Sequence, residues 1–151
     1  MARIWLEFAR YYVALDPFAF QVPREDGLAD WFERETARAK SADQRALVAE
    51  VDGVIAGFAA GSIRGPEEDA EYQLVADVGR CRLDIDLVAT AEAFRRRGVA
   101  RSLVLALEEW ARERGATIAL ATTFVASPLS VPFWEQGAGY ERRAIRYIKR
   151  L

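Results

Sequence analysis

Three consecutive arginines and a glycine form the segment with the clearest chemical potential. Arg95, Arg96 and Arg97 precede Gly98, and apolar residues with helical spacing begin at Val99. The first N–H groups of a helix have no partner within it, and the helix dipole adds positive potential at that end. The pattern predicts an anion site, most naturally for a phosphate, which Gly98 lets approach the backbone. A tight turn with a solvated basic corner is the alternative.

Two carboxylates lie just before this turn. The run from Leu83 to Thr90 alternates apolar and polar residues before a continuous β-branched end, which predicts a strand. Asp84 and Asp86 project from one face of it, because alternate residues of a strand share a face. A carboxylate there could act as a general base, directly or through water. A solvated strand face is an equally good interpretation of both residues.

The composition excludes several kinds of chemistry. The chain has no histidine, which excludes a histidine-based triad or zinc site, and Cys81 is the single cysteine, which excludes an intrachain disulfide. No metal is expected, so proton transfer must use carboxylates, tyrosine, backbone or water. The arginine segment is not a Walker loop, since no Gly-Lys-Ser/Thr follows. It lacks the first glycines of a dinucleotide fingerprint.

Length and charge predict a single globular domain over residues 1–151, with 52% hydrophobic and 29% charged residues. The 21 basic and 23 acidic side chains give a net charge of −2, so nucleic acid is not an expected partner. No apolar run approaches the ~18 residues that span a bilayer. Charges begin too early for a signal peptide, so the expected location is the cytoplasm, without a membrane partner.

The elements that must position these groups follow from the same patterns. A helix is predicted from Val99 to Arg114 and a strand from Thr117 to Phe124, which makes the flanking strands parallel neighbours. The other predicted elements, in chain order, are a helix over Ala2–Leu15, a helix over Glu25–Lys40, a hairpin around Asp52-Gly53, an extended segment over Tyr72–Thr90 interrupted near Gly79, a short helix through Trp134 and Glu135, and a closing strand over Tyr140–Lys149.

The segment Arg95-x-x-Gly98-x-Ala100 resembles the Arg/Gln-x-x-Gly-x-Gly/Ala signature of the GNAT N-acetyltransferase superfamily, which binds the pyrophosphate of acetyl-coenzyme A. The element order is similar to the GNAT fold over nearly the whole chain. The resemblance implies an α/β (α+β) fold with helices on both faces of a mixed sheet, splayed between the strands before and after the coenzyme-binding helix. The family's first strand has no counterpart, and the edge left exposed is compatible with a homodimer.

The resemblance also implies which residues bind the coenzyme. The backbone at the end of the strand pairs with the pantetheine arm, the amides from Arg96 to Ser102 hold the pyrophosphate, and one arginine side chain reaches the outer phosphate. The cofactor-binding residues implied are Val88, Ala89, Thr90, Arg95, Arg96, Arg97, Gly98, Val99, Ala100, Arg101, Ser102, Ser127 and Trp134.

The chain departs from the family in its later motif. Ser127 stands where the family has asparagine, and Trp134 stands where it has the tyrosine that usually protonates the departing thiolate. An indole cannot replace that acid, so Trp134 is expected to pack or to form a wall for coenzyme A. Tyr140 is the nearest phenol in sequence and is taken as the candidate acid. A core aromatic at the start of a strand is the alternative.

The function implied is direct acetyl transfer from acetyl-coenzyme A to a primary amine of a small molecule or peptide. Asp84, Asp86 or a water chain would take the proton of the amine, and a glutamate lies about where Asp84 falls in histone-acetylating members. A strand N–H near Val88 to Thr90 would polarise the thioester carbonyl. A non-catalytic acyl-coenzyme A sensor is the alternative, because the usual asparagine and tyrosine are missing.

Overall fold

Four strands form one mixed sheet in the order β1-β2-β3-β4. The computed structural model describes residues 1–38 and 43–149. Its helices are α1 (Ala2–Leu15), α2 (Leu28–Arg38), α3 (Val99–Arg112) and α4 (Ser130–Pro132), and its strands are β1 (Gln44–Val51), β2 (Val54–Arg64), β3 (Arg82–Thr90) and β4 (Ile118–Ala121). A π-turn over Phe133–Gly137 continues α4.

The hairpin predicted from Asp-Gly is confirmed. β1 and β2 pair antiparallel, and the turn residues Asp52 and Gly53 both have positive φ, 52° and 75°. Two successive positive φ angles match the twist of a two-residue hairpin, which is why Asp-Gly favours it. β2 also pairs antiparallel with β3. The strands that precede and follow α3 in the chain, β3 and β4, pair with each other in parallel.

Helices cover both faces of the sheet, as expected. On one face, α3 contributes Leu103, Val104, Leu107 and Trp110 to a core with Leu83 and Ile85. On the other, α1 and α2 pack around Phe58. β1 has β2 as its single strand neighbour among the described residues.

Two glycines of β2 allow α3 to lie close to the sheet. A Cβ on Gly57 would lie 2.7 Å from the carbonyl oxygen of Ala89 and 2.9 Å from Cγ1 of Val99. A Cβ on Gly61 would lie 3.0 Å from Cδ1 of Leu83. A larger residue at Gly57 would push the start of α3 away, and one at Gly61 would crowd β3.

The extended segment predicted over Tyr72–Thr90, with an interruption near Gly79, is confirmed after that interruption and wrong before it. The part before it forms two 3₁₀ turns, Ala70–Tyr72 and Ala76–Gly79, and β3 begins only at Arg82. Asp77 in the second turn pairs with Arg80 at 3.5 Å and with Arg143 at 3.1 Å. These ion pairs hold a compact turn where an extended strand would separate the charges.

The predicted closing strand over Tyr140–Lys149 is also wrong, because that segment has no regular secondary structure. Arg142 pairs with Glu135 at 2.7 Å, and the side chains of Tyr147 and Ile148 remain largely exposed. The sheet ends at β4, which has only four residues and offers little backbone for pairing.

Other boundaries shift by a few residues. Helix α3 ends at Arg112 and β4 covers Ile118–Ala121, both shorter than predicted. The predicted extension of α2 through residues 39 and 40 lies outside the described residues. Of the helices that are described, none combines the length and apolar character needed to cross a membrane.

Candidate active site

The pairing of β3 with the edge strand β4 stops halfway along β3. β3 pairs with β4 from Arg82–Ile118 to Ile85–Ala121, where β4 ends and β3 continues to Thr90. Asp86 forms a bulge in β3: Ala60 of β2 pairs with Leu87 and Gly61 pairs with Ile85, so Asp86 has no partner on β2. Such a bulge bends its strand. From Asp86 onward, β3 therefore has an edge on the side of β4 that pairs with none of the described strands.

The backbone of this open edge offers hydrogen-bond donors. Ala91 N–H donates to the Ala56 carbonyl on β2 at 2.9 Å. Because successive amides of a strand point to opposite sides, the amide of Ala89 also faces β2, and those of Val88 and Thr90 face the opening. The hydroxyl oxygen of Thr90 is buried and has no hydrogen-bond partner among the described residues.

The turn after β3 presents free amides beside open space. Gly98 is the N-cap of α3 with a φ of 82°, and the first helical bond runs from Ser102 N–H to its carbonyl at 2.9 Å. Within the described residues, no acceptor takes an amide from Arg96 to Arg101. A Cβ on Gly98 would meet nothing within 4 Å. The turn therefore has the donors and the space that an anion requires.

Ser102 differs from its neighbours. Its amide donates to the Gly98 carbonyl, and its hydroxyl donates to the Val99 carbonyl at 2.8 Å. Both groups serve the first turn of α3, so the expected row of free amides ends at Arg101.

The arginines around the turn fall into two groups. Arg95 lies over the ring of Tyr11, with its Cζ 5.8 Å from the ring centre, and Arg97 lies 5.5 Å from the ring centre of Phe94. Arg96 and Arg101 are exposed and form no ion pair with the described residues. The first two are held by aromatic contacts, whereas the other two are available to a ligand.

Asp84 is held between two arginines. Its Oδ2 lies 2.6 Å from Arg64 Nε, and its Oδ1 lies 3.9 Å from Arg82 Nε. Arg82 is only 12% exposed and also pairs with Glu67 at 2.8 Å. Since both carboxylate oxygens face guanidinium groups, this geometry disfavours Asp84 as a base.

Asp86 has a different environment on the same strand. Partial burial raises the pKa of its carboxyl group, although much of the residue still contacts solvent. A hydrogen bond from Ser62 opposes that rise in pKa, the negative charge of Asp84 adds to it, and Arg64 opposes it. A carboxylate with a raised pKa and an exposed side is better suited to accept a proton.

Tyr140 is engaged elsewhere. Its hydroxyl donates to Glu108 Oε1 on α3 at 2.9 Å, and its ring lies 5.0 Å from that of Trp134. Burial, together with the bond to Glu108, raises the pKa of Tyr140 well above its usual value. Both effects hold the proton on the phenol, so the structure disfavours Tyr140 as the acid. Trp134 packs between Phe133 and Tyr140 beside the α3 core.

A group of hydroxyls near the opening joins Ser127, an expected coenzyme-binding residue, to Tyr11, Tyr12 and Ser130, which the sequence did not indicate. Tyr11 OH lies 3.0 Å from Ser127 Oγ, and Tyr12 OH donates to Ser130 Oγ at 3.0 Å. Ser127 is 2% exposed and its Oγ also accepts the Ser130 amide at 3.1 Å. The feature of the sequence that could have indicated this group is the pair of adjacent phenols, Tyr11 and Tyr12, on an otherwise apolar surface of α1.

A surface cavity of about 370 Å³ lies between α1 and the start of the arginine turn. It is lined by Glu7, Arg10, Tyr11, Glu92 and Arg95. The Glu92 amide donates to Glu7 Oε2 at 3.1 Å, which joins the two walls.

A splayed mixed sheet with a free-amide turn at its opening defines an acetyltransferase-type fold. A sequence model of the Acetyltransferase (GNAT) family matches residues 5–140, and the chain belongs to this family. No curated protein sequence matches it significantly.

Solved structures agree with this assignment. The aminoglycoside N-acetyltransferase AAC(6')-Iy in complex with CoA is 26% identical, with a TM-score of 0.61 over 100% of this chain and 92% of that one. The same enzyme with the bisubstrate analogue CoA-S-monomethyl-acetylneamine is 25% identical, with a TM-score of 0.60 over 99% and 93%. A Bacillus halodurans protein, 12% identical over 99% and 91%, has a TM-score of 0.79 and shows the fold alone.

Proposed function

We propose that this chain transfers an acetyl group from acetyl-coenzyme A directly to the primary amine of a small molecule or peptide. The observation that carries the proposal is that the open edge of β3 leads into the turn at Gly98. The pantetheine arm of coenzyme A would pair with this edge, and its diphosphate would bind at the turn. Together these contacts would place the thioester in the opening between β3 and β4.

The turn residues from Arg95 to Arg101 would bind the diphosphate. A free amide that a bound ligand covers, but whose hydrogen bond the ligand does not accept, would cost roughly 1–3 kcal/mol. A ligand that accepts hydrogen bonds from several of these amides is therefore strongly favoured. The exposed guanidinium groups of Arg96 and Arg101 can reach outer phosphate oxygens. One of the amides of Val88 and Thr90 would pair with the pantetheine arm and the other would face the thioester carbonyl, whereas the amide of Ala89 between them faces β2.

Asp86 would act as the base. The amine gives its proton to Asp86, directly or through water, and its nitrogen attacks the thioester carbonyl carbon. A strand amide at Val88 or Thr90 stabilises the negative charge on the carbonyl oxygen. The carbon–sulfur bond then breaks, and the thiolate takes a proton. Asp84 would help to position the strand through Arg64 and Arg82.

A small-molecule amine is the acceptor that we favour. The support is the 26% identity, over the whole of this chain, with an enzyme that acetylates aminoglycosides. Asp86 lies on the exposed part of β3, where an amine can approach the opening from solvent.

The test is acetyl transfer by the purified chain to a panel of aminoglycosides, other small primary amines and lysine peptides. Thiol release gives the rate, mass spectrometry identifies the acetylated product, and calorimetry gives the affinity for acetyl-coenzyme A. We expect tight binding together with transfer to at least one small amine. Tight binding without transfer would instead support the acyl-coenzyme A sensor, which the replacement of the usual asparagine and tyrosine by Ser127 and Trp134 favours.

A further inference from the structure

Tyr11 contacts both sides of the opening between β3 and β4. Its ring lies against Arg95, at the start of the turn that follows β3. Its hydroxyl lies 3.0 Å from the Oγ of Ser127, in the segment that follows β4. Helix α1 thus places a phenol across the separated strand ends, where a thioester bound in the opening would pass beside it.

The other candidate phenols are already committed. Tyr140 donates its proton to Glu108, and Tyr12 donates its proton to Ser130. In the pair of Tyr11 and Ser127, either oxygen can be the donor. When Ser127 donates, the proton of Tyr11 is free for another acceptor.

Solvent access and charge also distinguish Tyr11. It lines the surface cavity next to the arginine turn, whereas Tyr12 is only 8% exposed. The guanidinium group of Arg95, which also pairs with Glu92 at 4.0 Å, lies over its ring with Cζ 5.8 Å from the ring centre. Water in the cavity can return the proton.

We propose that Tyr11 is the acid that protonates the departing thiolate, an inference that rests on the proposed acetyl transfer. The amine nitrogen forms its bond to the carbonyl carbon, and the carbon–sulfur bond breaks with its electron pair on sulfur. The sulfur takes the proton of Tyr11, while the amine proton leaves through Asp86. Tyr11 then regains a proton from water, so the net products are the amide and the free thiol.

The experiment compares Tyr11→Phe with Tyr12→Phe, a matched control on the adjacent residue. Each variant keeps its ring and loses one hydroxyl bonded to a serine. Loss of an acid catalyst lowers turnover by roughly 10²-fold or more. We expect that loss in kcat for Tyr11→Phe, with an unchanged dissociation constant for acetyl-coenzyme A, and a kcat near that of the unsubstituted chain for Tyr12→Phe.

A second measurement does not depend on turnover. The thiol of bound coenzyme A is titrated through the ultraviolet absorbance of its thiolate. A phenol that donates to the sulfur stabilises the thiolate, so Tyr11→Phe should raise the pKa of the bound thiol and Tyr12→Phe should not. A residue that only supports the fold would leave this pKa unchanged. If Tyr11→Phe unfolds, 3-fluorotyrosine at position 11 keeps the hydroxyl and should move the alkaline limb of kcat to lower pH.

The outcomes separate the two proposals. If the unsubstituted chain transfers acetyl groups and Tyr11→Phe keeps its kcat and the pKa of the bound thiol, the role of Tyr11 is overturned and the proposed function stands. If the unsubstituted chain binds acetyl-coenzyme A and acetylates no amine, the proposed function fails and the role of Tyr11 fails with it.

Discussion

The hydroxyl of Ser62 on β2 donates a hydrogen bond to the carboxyl group of Asp86, the residue at the bulge of β3. Ser62 is buried, whereas Asp86 reaches solvent, so a fixed donor holds a carboxylate that remains accessible. The bond favours the ionised form, which opposes the effect of burial. Ser62 therefore limits the rise in the pKa of Asp86 that burial causes.

Replacement of Ser62 by alanine should raise the pKa of Asp86 further, because the bond that favours the carboxylate is lost. The acidic limb of the pH profile of kcat/KM should move to higher pH. The measurement is kcat/KM across the acidic range for the Ser62→Ala and unsubstituted chains, with Asp86→Asn as the reference that lacks this base. A limb that stays in place would show that another group limits the rate at low pH.

Asp86→Asn should separate activity from stability. The pKa of Asp86 is raised above 3.8 in the folded chain, so the folded state binds more protons than the unfolded state between the two pKa values. Its contribution to stability therefore falls as pH rises through that interval, and at neutral pH the ionised carboxylate is a cost. Asparagine removes this cost while turnover should fall roughly 10²- to 10⁴-fold.

Urea unfolding at neutral pH and steady-state kinetics on the same samples test this pair of effects. The Asp86→Asn chain should have a free energy of unfolding at least equal to that of the unsubstituted chain. A variant that is both inactive and strongly destabilised would contradict a role of Asp86 in proton transfer.

Asp84→Asn should have the opposite effect to Asp86→Asn: a loss of stability rather than a loss of turnover. Arg82 is nearly buried, its Nη1 has no hydrogen-bond partner within the described part of the chain, and Asp84 is one of the two carboxylates near its guanidinium group. Loss of the charge from Asp84 leaves Arg64 and Arg82 less well compensated, at a cost of about 1–3 kcal/mol. Urea unfolding measures this loss. If Asp84→Asn instead left stability unchanged and reduced turnover as much as Asp86→Asn, Asp84 would be the base.

The anion site is tested at Gly98 with two substitutions. Alanine and glutamate both face the strain of a positive φ, which costs about 1–2 kcal/mol, and neither Cβ meets another atom. Only glutamate adds a negative charge where the diphosphate would bind. Calorimetry should show that Gly98→Ala retains measurable affinity for acetyl-coenzyme A and that Gly98→Glu loses it. Equal affinities would show that the diphosphate does not bind at this turn.

The parts of the site that the sequence predicts are local. Gly98 marks its turn and Asp52-Gly53 marks its hairpin because each needs positive φ within a few residues. The parts that it does not predict are contacts between distant residues. Tyr11 and Ser127 are 116 positions apart, and neither residue type indicates the other.

The two aspartates show the same limit. Alternation places Asp84 and Asp86 on one strand, but only the tertiary structure brings Arg64 and Arg82 to Asp84 and leaves Asp86 open. The closing strand failed for a related reason. Its apolar alternation is present in the sequence, yet a strand also needs a long enough neighbouring edge, which β4 does not provide.

Trp134→Tyr tests whether the acid is on α1 rather than in the π-turn after α4. It restores a phenol at the position where family members carry their acid, and the ring of Trp134 already packs beside Phe133 and Tyr140. In the Tyr11→Phe chain, this second substitution should recover part of the lost kcat, because either phenol could then protonate the thiolate. In the unsubstituted chain the gain should be small, since Tyr11 already supplies the proton. Quenched-flow measurement of a single turnover compares the four chains without interference from product release. A large gain in the unsubstituted chain, with no recovery in the Tyr11→Phe chain, would contradict an acid on α1.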